Sequence, residues 1–174
     1  FIGKTKFSEF ILQYIKEKEG YFVDFDTKEI VGKHLGQHLY TLGQRKGLGL
    51  GGAGEPWYVV AKDKTSANVF VARGEEHSAL YADELYLEEI HWLIDIPEIP
   101  FKCHAKIRYR QADQACELFY ENTLFKVVFA KPQRAITPGQ SIVFYQDDIC
   151  LGGGFIVKTG QSYYDQGKNI KDFK

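Results

Sequence analysis

The sequence predicts a mainly β chain with one amino-terminal helix, of the α+β class. A small central domain is followed by a roughly six-stranded β-barrel. Three observations carry this. Helical periodicity occurs clearly once, near the start. From Phe101 onward the chain is a succession of short apolar runs separated by turn residues. With 44% hydrophobic and 15% aromatic residues in 174, there is enough apolar matter to bury a core.

Composition narrows the function classes. The formal net charge is -1, so binding to an anionic partner has to come from local clustering. No apolar run reaches the length of a membrane span, and the start does not read as a secretory signal. Cys103, Cys116 and Cys150 form an odd, widely spaced set without a CxxC pair, which predicts reduced thiols in a cytosol-like compartment. The chain contains no methionine and opens on Phe1-Ile2-Gly3, which predicts a piece of a longer protein.

Phe7, Phe10, Ile11, Tyr14 and Ile15 fall at i, i+3, i+4, i+7 and i+8, one apolar stripe of a helix that Gly20 can stop. Tyr21 to Phe25 reads as a strand, with a turn at 26–29 and a return from Ile30. His34 and His38 stand four apart. Gly32 and Gly36 make a helix there poor, and no third ligand is evident, so no metal site is expected.

The segment from Tyr40 to Gly52 places Gln44, Arg45 and Lys46 between glycines. Glycine exposes backbone N–H groups and permits positive φ, and the cations suit phosphate. Two readings stay open: an anion-facing loop, or a glycine-rich connection carrying two solvated cations. Gly47, Gly49 and Gly52 satisfy G-x-G-x-x-G literally. Ala53-Gly54-Glu55-Pro56 is nevertheless a poor helix opening, so the dinucleotide reading is rejected, and no Walker loop occurs.

Residues 56–61 and 68–72 predict a hairpin. Residues 77–92 predict a short helical turn and then a strand. The prolines and acids of 93–100 predict a linker, giving domains at 1–95 and 96–158 and a loose polar tail at 159–174. Phe101 to Arg110 alternates without a break. Lys102, His104, Lys106, Arg108 and Arg110 fall on one face; Phe101, Cys103, Ala105, Ile107 and Tyr109 fall on the other. Like charges in register on one strand face repel, which suits an anionic cover. The alternative is a solvated face paired with acids from a neighbouring strand. Hairpins follow over 121–123 and 146–148, with basic and Pro-Gly turns at 131–134 and 138–140. A break or bulge is expected at Gly152-Gly153-Gly154.

Several motifs then agree in order and spacing. They are Phe1-Ile2-Gly3 with Phe7, Tyr40 through Gly49, Pro56-Trp57-Tyr58-Val59-Val60, His91-Trp92, Arg108-Tyr109-Arg110-Gln111, Thr137-Pro138-Gly139-Gln140 and Cys150-Leu151-Gly152-Gly153-Gly154. Together they resemble the carboxy-terminal half of the tRNA-specific 2-thiouridylase (MnmA/TRMU) family, up to about Ile156.

The resemblance implies a parent sulfurtransferase that uses ATP with Mg to adenylate C2 of a wobble uridine in tRNA. It then replaces that oxygen with sulfur from a persulfide donor. It also implies that the PP-loop ATPase domain and both catalytic cysteines lie outside these residues, one of them immediately before Phe1. The fragment is therefore expected to be inactive alone and to hold no cofactor. Arg108, Tyr109 and Gln140 are implied tRNA contacts. Arg110, Gln44, Arg45 and Lys46 are further candidates for seating the anticodon arm. A sulfur-relay protein is implied as a partner of the parent and no membrane is. The compartment is the bacterial cytoplasm, or the mitochondrion for a eukaryotic source. The alternative function is a stand-alone β-barrel adaptor for RNA or protein that performs no chemistry.

Overall fold

A computed structural model describes residues 10, 14 and 18–173. The expected helix through Phe7 and Ile15 lies outside the described residues apart from Phe10 and Tyr14, whose rings are 5.2 Å apart. Between Lys18 and Phe173 the helical elements are three short 3-10 turns. The chain divides into two compact units at Glu75 and Glu76.

The first unit is a four-stranded sheet of β1 (Gly20–Asp24), β2 (Ile30–His34), β3 (Trp57–Lys62) and β4 (Val69–Arg73), in the order β2-β1-β4-β3. β1 and β4 run parallel, and each also pairs antiparallel with the strand beside it in sequence. Phe22, Trp57, Val59, Val69 and Val71 form its core, and Leu48 joins them from the glycine loop. That insertion is why the loop is not a free connection. A leucine removed from water contributes roughly 1.5–3 kcal/mol toward holding the loop down.

The second unit holds β5 (Tyr81–Leu87), β6 (His91–Trp92), β7 (Phe101–Lys106), β8 (Gln114–Glu121), β9 (Leu124–Arg134), β10 (Ser141–Gln146) and β11 (Ile149–Thr159). The sheet order is β10-β7-β8-β9-β5-β11-β6. A further β10–β11 pairing closes six of the strands into a barrel, with short β6 added against β11. Closure leaves the six strands without an open edge. Inward residues Leu85, Leu87, Cys103, Ala105, Leu118, Val127, Phe129, Ile142 and Phe144 fill the interior, and Trp92 stacks on Phe144 with ring centroids 6.1 Å apart. The sequence reading placed the division near residue 95. β5 and β6 nevertheless pair in the barrel sheet, because the prolines of 93–100 mark a connection within it.

Four further differences have local causes. The uninterrupted strand expected over 101–110 ends at Lys106, and 107–110 bend into a turn. The expected basic turn at 131–134 is part of β9. Pro132 is accommodated because β9 carries extra residues opposite the register step between Ala82 and Glu84 of β5.

Gly152-Gly153-Gly154 does not break its strand, and the expected bulge falls beside it, where the β10–β11 register steps between Gly152 and Cys150. A Cβ at these three positions would lie 2.3 Å from the His91 carbonyl, 2.5 Å from the Ile142 carbonyl and 2.3 Å from the Glu89 carbonyl, so the glycines let neighbouring backbones approach. Finally, the tail is docked. Tyr163 is 1% exposed, its N–H donates to the Tyr81 carbonyl at 2.8 Å, and Ile170 is buried.

Candidate nucleic-acid interface

The Arg108-Tyr109-Arg110 turn projects from the end of β7 in the barrel unit. Tyr109 was expected on the inward face. It is 96% exposed because the strand ends three residues earlier, at Lys106. Among the described residues no contact holds this ring, so a large apolar surface stands exposed between two cations. Arg108 is anchored: its Nη2 donates to the Arg134 carbonyl at 3.0 Å and to the Ala135 carbonyl at 3.1 Å. Burial, and then the charge of Arg134, lower the Arg108 pKa. An arginine stays charged regardless, so this corner brings two guanidinium groups close together.

A chain of amides supports the turn from behind. Gln111 accepts from the Ile107 N–H at 3.1 Å and donates to buried Gln133 at 2.6 Å. Gln133 in turn donates to Gln114 at 3.1 Å and to the Lys131 carbonyl at 2.9 Å. These bonds fix where the strand stops and where the turn points.

The Thr137-Pro138-Gly139-Gln140 segment arrives at the same place. The Thr137 hydroxyl donates to the Ala135 carbonyl at 3.1 Å, and the Gly139 N–H donates to the Ile156 carbonyl at 2.7 Å. The Gln140 carbonyl accepts from the Ile156 N–H at 2.8 Å. Gln140 itself is half-buried. Two motifs separated by almost thirty residues thus meet at the backbone of Ala135, and Arg134 joins them. Sequence reasoning missed Arg134 as a neighbour of Arg108, because it read 131–134 as an isolated turn.

The rest of the basic face is less available. Lys106 pairs with Asp113 at 3.1 Å and lies over the Tyr145 ring at 4.9 Å, while Lys102 stands opposite Glu117 in the β7–β8 register. The reading of a face paired with neighbouring acids therefore describes Lys102 and Lys106, and the anion-facing reading narrows to the turn beyond them. A larger groove of about 680 Å³ lies against β7–β9, lined by Lys102, Glu117, Phe119, Lys126 and Val128 among others. It shares no residue with the Arg108 turn. Lys126 there is already matched by Glu84 at 3.0 Å and Glu121 at 3.8 Å.

In the first unit, Gln44 braces its own loop. Its Oε1 accepts from the Thr41 N–H at 2.9 Å and its Nε2 donates to the Lys46 carbonyl at 3.0 Å. Arg45 and Lys46 are exposed beside it. Among the described residues no group of three or more His, Cys, Asp or Glu could hold an ion. His34 is buried between the rings of Phe22 and Tyr40. The glycine loop leads into β3 rather than a helix, so it lacks the setting of a dinucleotide or Walker loop. Cys103 and Cys116 face each other across β7 and β8 with sulfurs 3.8 Å apart, and the contact with Cys103, then burial, raise the Cys116 thiol.

Comparison with known proteins agrees with this architecture. Residues 8–73 match a family model described as a tRNA methyl transferase PRC-barrel domain, and residues 82–156 match one described as an aminomethyltransferase β-barrel domain. The class defined is a two-domain β protein, a PRC-barrel-type unit followed by an aminomethyltransferase-type barrel. The relatives are more particular. The chain is 52% identical to tRNA-specific 2-thiouridylase MnmA of Protochlamydia amoebophila, covering 98% of this chain and 45% of that protein. It is 48% identical to that of Chlamydia pneumoniae and 46% identical to that of Pseudomonas fluorescens, each over 90% of this chain and 43% of the relative. The chain belongs to the tRNA-specific 2-thiouridylase family and carries its middle and carboxy-terminal domains. It spans less than half the length of these relatives. No described helix is long and apolar enough to cross a membrane.

Proposed function

We propose that this chain is the tRNA-gripping portion of an ATP-dependent sulfurtransferase that makes 2-thiouridine at the wobble position. The observation that carries the reading is the convergence at Ala135: an anchored Arg108, a neighbouring Arg134 and Thr137 meet at one stretch of backbone, and the residue after Arg108, Tyr109, is exposed. Guanidinium groups bind phosphate oxygens through paired donors, and an exposed aromatic ring stacks on an unpaired base. Arg108, Arg110 and Tyr109 therefore act as the primary contacts, with Gln140 beside them. Arg45 and Lys46 supply charge on the first unit, and Gln44 shapes their loop without reaching outward. In the whole enzyme, ATP with Mg and a persulfide donor supply activation and sulfur. The residues described above only bind and orient the RNA in the cytoplasm, and alone produce no 2-thiouridine.

The test is a filter-binding titration of unmodified tRNA against this chain over a range of salt. Binding with a clearly negative slope of log affinity against log salt is expected, because phosphate contacts release counterions. Absence of salt-dependent binding would overturn the proposal.

A further inference from the structure

The glycine loop of the first unit and Arg73, a residue outside every motif, enclose a cup of about 280 Å³. We propose that this cup is a second RNA-phosphate site, with Arg73 as its recognising residue. The inference rests on the tRNA-binding reading above and adds Arg73 to the first-unit cations named there.

Arg73 is fixed before any ligand arrives. Its guanidinium carbon lies 4.1 Å from the centroid of the Trp57 ring, and its Nη1 donates to the Glu55 carbonyl at 2.7 Å. Trp57 is itself buried, and its indole N–H donates to the Gly51 carbonyl at 3.2 Å. Stacking on tryptophan holds the guanidinium plane while leaving its remaining N–H groups directed along its edge. Among the described residues neither Nη2 nor Nε makes a hydrogen bond, and Nη2 lies 3.0 Å from where a Cβ of Gly52 would stand. A ligand bound there need not spend free energy on ordering the side chain.

The wall facing Arg73 is bare backbone. Gly47, Gly49, Gly52 and Gly54 adopt positive φ values of 79°, 69°, 103° and 101°. A Cβ on Gly49 or Gly51 would meet nothing within 4 Å, so the main chain there is open to an approaching oxygen. Glycines spaced this closely leave the backbone uncovered by side chains, which lets an anion approach main-chain N–H groups as it does in nest-like sites.

The charge count selects the ligand. Arg45 and Arg73 line the cup with one acid, Glu55, whose carboxylate lies against Gly74. One net positive charge matches a phosphodiester, which carries a single negative charge, better than a nucleotide triphosphate.

Four variants of the chain test this with unmodified tRNA as the probe: Arg73→Gln, Arg108→Ala, Gly51→Asp and Gly51→Asn. Arg73→Gln is expected to weaken binding about tenfold and to reduce the magnitude of the salt slope by about 0.7–0.9. Gly51→Asp leaves Arg73 in place and puts a carboxylate into open space, so it should weaken binding similarly. Gly51→Asn, its neutral counterpart, fills the same space without the charge and should weaken binding clearly less than Gly51→Asp. If Arg73→Gln lowers the melting temperature while affinity and slope stay at parent values, Arg73 is a structural staple and the inference fails. If Arg73→Gln does not fold, equal binding by the Gly51→Asp and Gly51→Asn variants overturns it. Loss with Arg108→Ala but not with the cup variants sinks this site alone. A parent chain that binds without salt dependence sinks the underlying reading.

Discussion

Arg108 and Thr137 share an acceptor: the Nη2 of one and the hydroxyl of the other both donate to the Ala135 carbonyl, each at 3.1 Å. This links the two motifs through a single backbone atom and sets the position of the turn that carries Tyr109. Arg108→Ala is expected to weaken tRNA binding by roughly 1–3 kcal/mol and to reduce the magnitude of the salt slope by about one. Filter binding at several salt concentrations reads both quantities. Parent values for the two together would remove Arg108 from the interface.

Tyr109 separates binding from folding. Its ring is 96% exposed, so Tyr109→Ala should leave the melting temperature nearly unchanged. If the ring stacks on a base, the same change should weaken RNA binding by about 1–3 kcal/mol, whereas Tyr109→Phe should retain most of the affinity. Equal affinity of the alanine and phenylalanine variants would exclude stacking.

The docked tail predicts the reverse pattern. Tyr163 is buried, its hydroxyl reaches Asp83 at 3.3 Å, and the Lys168 ammonium lies 5.1 Å from its ring centroid. Burial and the Asp83 carboxylate push its phenol up to about 12. Tyr163→Ala should cost about 3 kcal/mol of stability. Denaturant unfolding followed by circular dichroism measures it, and a midpoint identical to the parent would show that the docking contributes nothing.

His34 predicts an acid-sensitive first unit. It is 4% exposed, and neither ring nitrogen makes a hydrogen bond. Burial lowers its pKa; the Ala67 carbonyl opposes this, nearby His38 adds to it, and the Tyr21 carbonyl opposes it least. The unfolded chain therefore binds the proton more readily than the folded one. Stability is complete above the unfolded value of about 6.5. It falls as pH drops below that value, by up to about 1.4 kcal/mol per pH unit until the lower folded pKa is passed. His34→Phe suits the Phe22 and Tyr40 rings and should flatten the melting temperature between pH 7 and 5. An equally steep decline in that variant would move the origin elsewhere.

The barrel was legible in the sequence because its inward residues follow a period of two. Cys116 and Leu118, Val127 and Phe129, and Ile142 and Phe144 each alternate with less buried neighbours. The turn residues between the strands supplied the breaks. The same rule misplaced Tyr109, since alternation carries no notice of where a strand stops. The stop depends on the contact of Gln111 with Gln133, twenty-two residues away. Arg73 was invisible for a related reason: its role depends on Trp57, which reaches it across β3 and β4, where the two residues are register partners. The convergence of Arg108 with Arg134 and Thr137 likewise arises from closure of the barrel rather than from any local pattern.

Gly152, Gly153 and Gly154 have a consequence for how this protein tolerates change. Each added methyl would meet a different strand or connection. Three residues without side chains therefore constrain the chain as tightly as Leu85 or Phe144 do. In a saturation library sorted for folded protein, these positions should be depleted as severely as the core, for every substitution including alanine. A hydropathy profile gives no warning of it.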